Sequence, residues 1–493
     1  MKLFELLQGI DDYSITGDKD IEITNIAYDS RKVREGSLFI CIKGFVSDGH
    51  DYAMQAINAK ASAIIAEKDI DLPGVVKVYV HDSRKALAVV SANFFGKPSD
   101  KLTMIGVTGT KGKTTVTFMT DAIFNTAGRK SGLIGTIINK IGSETVYASR
   151  TTPESYELWS MLDRCVKEGA DSCIMEVSSQ GLWLDRVYGI EFKTGVFTNL
   201  YNDHIGPNEH KNMQEYINAK SILFQRSENG VINADAEYSE VMTETLKKNP
   251  KASLYTYGID NEAMVRASDI RPVSDKQRIG TEFTLESPWY KGKIFVGMPG
   301  RFNVYNALAA ICCAGIEGIE FKHVCSGLSS VTVKGRVQPV VTGSDYQVIV
   351  DYAHNAASLE NLLSTLREHA QRRLICVFGC GGDRAKSRRF EMGEVSGNMA
   401  DITVITSDNP RTESPDDILS DIESGILKTS GEYVKITDRT DAIRYALQIA
   451  QKGDIIVIAG KGHETYQIFA DKTIHYDDVE VAYSLIEEIN SHK

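Results

Sequence analysis

Short runs of apolar and β-branched residues alternate with segments of helical periodicity along most of the chain. This alternation is typical of parallel α/β domains, in which helices connect successive strands. The runs group into three blocks, which predict domains over residues 1–100, 101–335 and 336–493. Within the second block, further apolar runs predict a β excursion that leads into a helix beginning near Val304.

The predicted strands of the third block end in Gly, Asp, His or Asn where each apolar run stops. Ligands of open parallel sheets bind beyond the carboxyl ends of the strands. The residues that follow these strands are therefore the first candidates for a binding site.

The composition is that of an ordinary globular protein of several domains, with 493 residues, 42% hydrophobic and 25% charged. The net charge of -11 argues weakly against nucleic acid as a main partner. Glu5 interrupts a short apolar start that is unlike a secretory signal, and no later run reaches membrane-spanning length. The eight cysteines form no zinc-type CxxC pairs and predict free thiols. We expect a cytoplasmic protein that acts as a monomer and binds neither nucleic acid nor a membrane.

Residues 106–115 read Gly-Val-Thr-Gly-Thr-Lys-Gly-Lys-Thr-Thr and stand between a predicted strand and a predicted helix. Glycines let backbone N–H groups turn toward phosphate oxygens, and the helix N-terminus adds its positive dipole end. Lys113 can reach the β- and γ-phosphates, and the Thr114 hydroxyl can complete a Mg²⁺ shell. Val107 departs from the general pattern, which has glycine there. The alternative is a glycine-rich turn with incidental lysines.

Residues 108–115 resemble the phosphate loop of the Mur ligases and of their relative folylpolyglutamate synthase. The resemblance covers essentially the whole chain and is to the Mur ligases that extend a UDP-N-acetylmuramoyl-dipeptide. It implies an α/β fold of three domains: an N-terminal UDP-binding domain, a central ATP-binding domain with a P-loop-type parallel or mixed sheet, and a Rossmann-like C-terminal domain that binds the amino acid. The positions that match nucleotide contacts of the family are Gly109, Thr110, Lys111, Gly112, Lys113, Thr114, Thr115, Asn306, Arg336 and Asp351.

Three residues outside the loop match the family's catalytic centre. Glu176 ends a predicted strand, and its carboxylate suits Mg²⁺, which favours hard oxygen ligands. The resemblance implies that Glu176 and His204 are metal ligands, together with Thr114. Lys220 lies in an amphipathic helical run, and on sequence alone a solvated lysine is the favoured interpretation. The family carries a carbamylated lysine (N6-carboxylysine) at this position, so the predicted catalytic set is Lys113, Glu176, His204 and Lys220.

The residues expected to bind the nucleotide sugar and its peptide lie in the first two blocks. Ser30 belongs to a run that resembles the uridine-diphosphate site of the family, although the same residue types are common in turns. Positions that hold the muramoyl peptide in relatives are matched by Thr151, Thr152, Ser178 and Arg186. The chain departs from the family pattern at Arg150, Gln180, Leu184 and residues 205–210.

The run Asp408-Asn409-Pro410-Arg411 resembles the motif of relatives that add meso-diaminopimelate. This diamino acid has a second carboxylate, which lysine lacks, and a guanidinium is a planar fork that matches a carboxylate. Asn409 can offer further hydrogen bonds. An arginine paired with a surface carboxylate in an ordinary loop is the alternative. Other positions that match family contacts to the amino acid are Arg389, Gly460 and Glu464.

Together these features predict an ATP- and Mg²⁺-dependent amide ligase. It would add meso-diaminopimelate to UDP-N-acetylmuramoyl-L-alanyl-D-glutamate through an acyl phosphate. The alternatives are the same chemistry with L-lysine or another acceptor, a nucleotide-hydrolysing regulatory protein, and a catalytically silent paralogue. Folate relatives lack the first block, so residues 1–100 argue against folate as the acceptor.

Overall fold

The computed structural model describes residues 1–72, 74–206, 208–274, 279–340 and 344–491. The chain forms two compact units. The first contains Met1–Arg266, Ser287–Trp289 and Leu308–Val324, and the second contains Ala267–Glu286, Tyr290–Ala307 and Cys325–Lys493. Within the described residues, no helix is both long and apolar enough to cross a membrane.

The first block of the chain is a small five-stranded sheet. Its strands are β1 (Ser14–Thr16), β2 (Asn25–Ala27), β3 (Ser37–Ile40), β4 (Ala61–Ala66) and β5 (Val76–Tyr79), in the order β1-β5-β4-β3-β2. Only β1 is antiparallel to its neighbour. The helices are α1 (Leu3–Leu6), α2 (Ala53–Asn58) and α3 (Ser83–Phe94). The central strands are apolar along their length because helices or loops cover both faces.

The second block is built on a larger sheet of the first unit. Its strands are β6 (Thr103–Thr108), β7 (Ser131–Ile134), β8 (Ile138–Ile141), β9 (Glu144–Tyr147), β10 (Ser172–Glu176), β11 (Phe192–Phe197), β12 (Ser227–Asn233) and β13 (Ser253–Gly258). The order is β9-β8-β7-β10-β6-β11-β12-β13, parallel from β7 to β13. Its helices are α4 (Lys113–Thr126), α5 (Ser155–Lys167), α6 (Ser179–Trp183), α7 (Met213–Gln225) and α8 (Ser239–Lys247). The carboxyl ends of β7, β10, β6 and β11 therefore lie side by side.

The predicted β excursion and the helix after it are present. Strands β14 (Val265–Ser274), β15 (Ile279–Glu286) and β16 (Lys291–Val296) precede α9 (Arg301–Ile316) and α10 (Phe321–Ser330). Strands β15 and β16 are antiparallel. Helix α9 begins at Arg301, one turn before the predicted start near Val304.

The third block is a six-stranded sheet with helices on both faces. The strands are β17 (Gln338–Val340), β18 (Gln347–Asp351), β19 (Leu374–Phe378), β20 (Ile402–Ile405), β21 (Glu432–Lys435) and β22 (Ile455–Ala459), with a separate hairpin of β23 (Tyr466–Ile468) and β24 (Thr473–His475). The helices are α11 (Ala356–Arg367), α12 (Ser387–Met399), α13 (Pro415–Ile426), α14 (Arg439–Ile449) and α15 (Asp478–Ser491). The order is β17-β18-β22-β19-β20-β21, and only β17 is antiparallel. A separate apolar core covers each face, which confirms the predicted Rossmann-like architecture.

Candidate active site

The phosphate loop connects β6 to α4, as the sequence predicts. Gly109 has φ +150°, and a Cβ atom there would come within 1.9 Å of the Thr198 hydroxyl. Gly112 has φ +87° and is the residue before the first turn of α4. Both positions therefore require glycine. The loop is also held by Asn199, whose backbone carbonyl accepts from the Thr110 N–H at 2.9 Å and whose side chain accepts from the Lys111 N–H at 2.9 Å.

Two lysine side chains converge on one carbonyl of this loop. Lys113 Nζ donates to the Gly109 oxygen at 2.8 Å and to the Thr110 oxygen at 3.1 Å. Lys220 Nζ donates to the same Gly109 oxygen at 2.9 Å. Two amino groups therefore meet at one loop carbonyl, and the Lys113 ammonium gives the loop local positive charge for a phosphate group.

Lys220 is buried, with a relative exposure of 1%. The interpretation of a solvated lysine, favoured on sequence alone, is therefore wrong. The position lies on the face of α7 that packs against the sheet, and a lysine stem occupies such a face as an apolar residue would. Burial, reinforced by the charge of Lys113, holds the pKa of Lys220 well below its usual value.

Glu176 is buried at the carboxyl end of β10, beside the start of α4. Its carboxylate accepts hydrogen bonds from the Thr114 hydroxyl at 2.9 Å, and from the Thr136 N–H at 2.8 Å and the Thr136 hydroxyl at 3.0 Å. Thr136 follows β7, the neighbour of β10. The rule about strand ends could have identified it, but no motif marks it in the sequence.

The oxygens of Thr114 and Glu176 fit a Mg²⁺ ion, which is usually held by one or two carboxylates together with phosphate oxygens. Across the described parts of the chain, no group of three or more His, Cys, Asp or Glu side chains is arranged to hold a metal ion. His204 pairs instead with Glu209, whose Oε1 lies 3.2 Å from the imidazole Nδ1. The assignment of His204 as a metal ligand stays a prediction.

A pocket of about 380 Å³ opens beside the two lysines. Its lining combines predicted catalytic residues with residues predicted to bind the muramoyl peptide: Lys113, Arg150, Thr151, Thr152, Ser178, Ser179, Gln180, Arg186, His204, Glu209 and Lys220. Besides Lys220, the lining has three lysine or arginine side chains and a single carboxylate, so the pocket suits an anionic substrate. Three of the residues that depart from the family pattern, Arg150, Gln180 and Glu209, line it directly.

One buried carboxylate organises three arginines beside this pocket. Glu154 lies 2.8 Å from Arg186, 2.7 Å from Arg150 and 3.4 Å from Arg84. Arg186 also donates to the Thr152 carbonyl at 3.1 Å. Burial lowers the pKa of Arg186 from its usual value, although it remains a cation at neutral pH. Arg84 belongs to the first block, and no sequence signal points to it.

The remaining predicted nucleotide residues have local partners. Ser30 is buried in a short 3₁₀ turn, and its hydroxyl donates to the Gln55 side chain at 3.0 Å. In the second unit, Asn306 donates to the Asn303 side chain at 3.1 Å, and Arg336 lies over the Tyr352 ring at 5.0 Å. Their contacts with nucleotides stay predictions.

Asp351 ends β18 and supports the backbone after it. Its carboxylate accepts from the N–H groups of Val337 at 2.7 Å and Ala353 at 2.8 Å. Burial raises the pKa of Asp351. The contact of Asp351 with ATP likewise stays a prediction.

The predicted amino-acid residues of the third block surround the carboxyl ends of β20 and β22. Asn409 and Glu464 are joined by a hydrogen bond of 2.8 Å from the Asn409 amide to the Glu464 Oε2. Arg411 has φ +54°, and its guanidinium donates to the Gly382 carbonyl at 2.6 Å. Gly460 has φ +111°, and a Cβ atom there would lie 3.1 Å from the Asp408 carboxylate. The structure thus brings five of the six predicted positions into one region: Asp408, Asn409, Arg411, Gly460 and Glu464.

Arg389 is the exception within this group. It is buried, and its guanidinium donates to Glu413 at 2.7 and 2.9 Å and to Asp421 at 2.9 Å. These two carboxylates accept from both terminal nitrogens of the guanidinium, whereas its buried Nε has no hydrogen-bond partner among the described residues. Direct binding of the amino acid by Arg389 stays a prediction. A larger cavity of about 750 Å³ lies elsewhere in the second unit, beside β17 and β18, and none of its lining residues belongs to the predicted sites.

His463 gives a stability prediction that depends on pH. Its ring packs on Tyr352 at 4.7 Å, and burial, with the nearby cations Arg336 and Lys334, lowers its pKa to about 4. An unfolded histidine titrates near about 6.5. The unfolded chain therefore binds an extra proton between these values. The neutral His463 imidazole therefore makes its full contribution to the free energy of unfolding above about pH 6.5. This contribution is lost as the pH falls toward 4.

Replacing His463 by glutamine should remove this pH dependence. The free energy of unfolding, measured by urea denaturation, should fall in the wild type when the pH is lowered from 7 to 5. In His463→Gln this fall should be smaller by about 2 kcal/mol. His81→Gln, which changes an exposed histidine, serves as the control and should behave as the wild type. An equal fall in His463→Gln and the wild type would show that His463 does not titrate in this way.

Three family models match consecutive parts of the chain. They are described as the Mur ligase family catalytic domain, the Mur ligase middle domain and the Mur ligase glutamate ligase domain, and they match residues 22–96, 107–314 and 335–462 respectively.

The chain is similar over its full length to proteins named UDP-N-acetylmuramoyl-L-alanyl-D-glutamate–2,6-diaminopimelate ligase. The protein of this name from Clostridium botulinum is 46% identical, over 99% of this chain and 100% of the relative. That from Caldanaerobacter subterraneus is also 46% identical, over 99% of both chains.

Solved structures show the same relationship. A ligase of that name superposes with a TM-score of 0.76 at 29% identity, with 99% of each chain covered. Folylpolyglutamate synthase from Mycobacterium tuberculosis gives a TM-score of 0.60 at 18% identity, over 76% of this chain and 92% of that one. The second likeness concerns the fold alone.

Proposed function

The chain belongs to the Mur ligase family, and from this we propose that it joins diaminopimelate to UDP-N-acetylmuramoyl-L-alanyl-D-glutamate at the expense of ATP. The observation that carries the proposal is the pocket in which Lys113 and Lys220 of the phosphate-loop region share a lining with Thr151, Thr152 and Arg186. Such a lining would bring a phosphate donor and an anionic acceptor together. The full-length relatives named for this reaction support the same substrates.

The first step is attack of the D-glutamate side-chain carboxylate on the γ-phosphorus of ATP, which forms an acyl phosphate and releases ADP. Lys113 and the loop N–H groups stabilise the negative charge that spreads over the transferred phosphoryl oxygens. Thr114 and Glu176 would hold a Mg²⁺ ion, which supplies charge neutralisation at the phosphates when bound. The cationic lining of the pocket holds the acceptor in position.

The second step is attack of an amine of diaminopimelate on the acyl carbon. The nitrogen–carbon bond forms, the amine loses a proton, and the carbon–oxygen bond to inorganic phosphate breaks. In the third block, Arg411 would bind the distal carboxylate as a planar fork, and Glu464 would accept the distal ammonium. The match with the family supports both assignments, and the hydrogen bond from Asn409, two residues before Arg411, to Glu464 supports a shared site.

Transfer of oxygen tests the proposed chemistry. If the substrate carboxylate is labelled with ¹⁸O, one labelled oxygen should appear in the inorganic phosphate for each amide formed, because the acyl phosphate breaks at the carbon–oxygen bond. Phosphate without the label would exclude this route. ATP hydrolysis that does not depend on the amino acid would favour the regulatory alternative, and product formed with L-lysine alone would favour the lysine-adding one.

We further propose that Lys220 carries a carbamate. Its burial and its depressed pKa favour the neutral amine, which is the form that reacts with CO₂. Because the Nζ atoms of Lys220 and Lys113 contact the same Gly109 oxygen, a carbamate on Lys220 would place a negative group near the Lys113 ammonium.

Lys220→Met is expected to lower kcat by about 10²-fold or more, since it removes a group that acts on the phosphates. Lys211→Met, which changes an exposed lysine just before the same helix, is the matched control. Protein equilibrated with ¹³C-bicarbonate should give a carbamate carbon signal that is absent from Lys220→Met. A wild-type spectrum without that signal would refute the modification.

A further inference from the structure

Lys461 is a fully buried lysine in the loop that follows β22, with a relative exposure of 0%. Its Nζ lies 3.2 Å from the Asn409 Oδ1 and 3.3 Å from the Glu464 Oε2, and 5.5 Å from the centre of the Tyr466 ring. Lysine is almost never fully buried unless it is paired. Burial here places the charge between two residues of the amino-acid site.

The first consequence concerns the orientation of the Asn409 amide. Its Oδ1 accepts from the Lys461 ammonium and also from the Ile468 N–H at 3.0 Å. An amide oxygen is the only end of the group that can accept both. The Nδ2 end must therefore point to Glu464, where it donates to Oε2 at 2.8 Å.

The second consequence concerns Glu464. Its Oε2 receives both the Asn409 amide and the Lys461 ammonium, so the carboxylate is held in one rotamer. The described residues provide no hydrogen bond to its other oxygen, Oε1. The carboxylate side chain is 16% exposed, which leaves it open to a small ligand on one side.

We propose that Lys461 is a positioning residue for amino-acid selection: it fixes the Asn409 amide and occupies Oε2 of Glu464, so that Oε1 accepts the distal ammonium of the incoming diamino acid. The inference rests on the proposed function of this region. Lys461 does not itself touch the substrate. It acts by holding two side chains that do, so that the Glu464 carboxylate is directed before the substrate arrives.

Lys461→Met tests this role. The variant should raise the KM for diaminopimelate about 30-fold, the effect of removing one partner of a buried charge pair, with kcat and the KM values for ATP and the UDP-linked dipeptide within about 3-fold of the wild type. Lys461→Arg, which keeps a cationic donor, should restore the KM to within about 5-fold. Lys472→Met changes an exposed lysine of the β23–β24 turn and is the control.

A second amino acid separates positioning from a merely structural effect. 2-Aminopimelate keeps the distal carboxylate but lacks the distal amine, so the wild type should use it far less well than diaminopimelate. In Lys461→Met, the kcat/KM values for diaminopimelate and 2-aminopimelate should lie within about 3-fold of each other. The reason is that Glu464, no longer held in place, does not bind the distal ammonium selectively. If the methionine variant does not fold, Lys461→Gln takes its place with the same expectation.

An unchanged KM for diaminopimelate, or a fall in kcat with unchanged discrimination against 2-aminopimelate, would overturn the inference. Wild-type protein that fails to use diaminopimelate at all would instead overturn the proposed function. The two failures are therefore distinguishable in one set of assays.

Discussion

Lys113→Met is expected to lower kcat by about 10³-fold or more, with the KM for diaminopimelate close to the wild-type value. Lys113 is the loop side chain that can follow the γ-phosphoryl group as its charge spreads in the transition state. In the structure its Nζ is held by the carbonyls of Gly109 and Thr110, at the carboxyl end of β6 where the phosphates would lie. Its contribution is therefore concentrated in the transition state, which lowers kcat when it is lost.

The measurement is steady-state release of phosphate with each substrate varied in turn. Lys130→Met changes an exposed lysine just beyond α4 and should leave the rate as in the wild type. A Lys113→Met protein that is folded and keeps more than about one tenth of the wild-type kcat would exclude the proposed role, because an effect that small is below what one transition-state charge contributes.

Arg411→Ala is expected to lower kcat/KM for diaminopimelate by 10²- to 10³-fold, or about 3–4 kcal/mol, because a carboxylate loses its planar two-point partner. The Arg411 side chain is held in place before any substrate binds. Its backbone takes φ +54°, its N–H donates to the Ile468 carbonyl at 3.0 Å, and its guanidinium donates to Gly382. Binding therefore needs little ordering of this residue.

The same variant should lose most of its preference for diaminopimelate over L-lysine, since lysine has no carboxylate for Arg411 to bind. Arg411→Lys keeps the charge but loses the planar, two-point guanidinium. Its kcat/KM for diaminopimelate should lie between those of Arg411→Ala and the wild type, at about 10-fold below the wild type. Arg372→Ala, at an exposed arginine, is the control. If Arg411→Ala retains the wild-type ratio of kcat/KM values for the two amino acids, then the distal carboxylate is bound by another residue.

The sequence predicts the phosphate loop and the residues around it well, because the carboxyl ends of adjacent parallel strands lie at the same edge of the sheet. A strand–glycine loop–helix pattern places the loop at the end of β6, and Glu176 ends the adjacent parallel strand. The 2.9 Å contact between Thr114 and Glu176 follows from that geometry. The β excursion that contains β15 and β16 is likewise predicted from its apolar runs.

The sequence fails where burial depends on tertiary packing. Lys220 and Lys461 carry side chains that are usually exposed, yet both are buried, because their partners include residues distant in sequence. Thr136 and Arg84 contact Glu176 and Glu154 for the same reason and belong to no motif. Spacing along the chain carries no information on which distant carbonyl or carboxylate a cation will meet.

The most direct test of the central claim is turnover by the purified protein with ATP, Mg²⁺ and UDP-N-acetylmuramoyl-L-alanyl-D-glutamate, with meso-diaminopimelate or L-lysine added in parallel. Diaminopimelate-specific ligation predicts that phosphate is released only when diaminopimelate is present, with a product whose mass is that of the UDP-linked tripeptide. Equal or faster turnover with L-lysine, or release of phosphate without any amino acid, would contradict it.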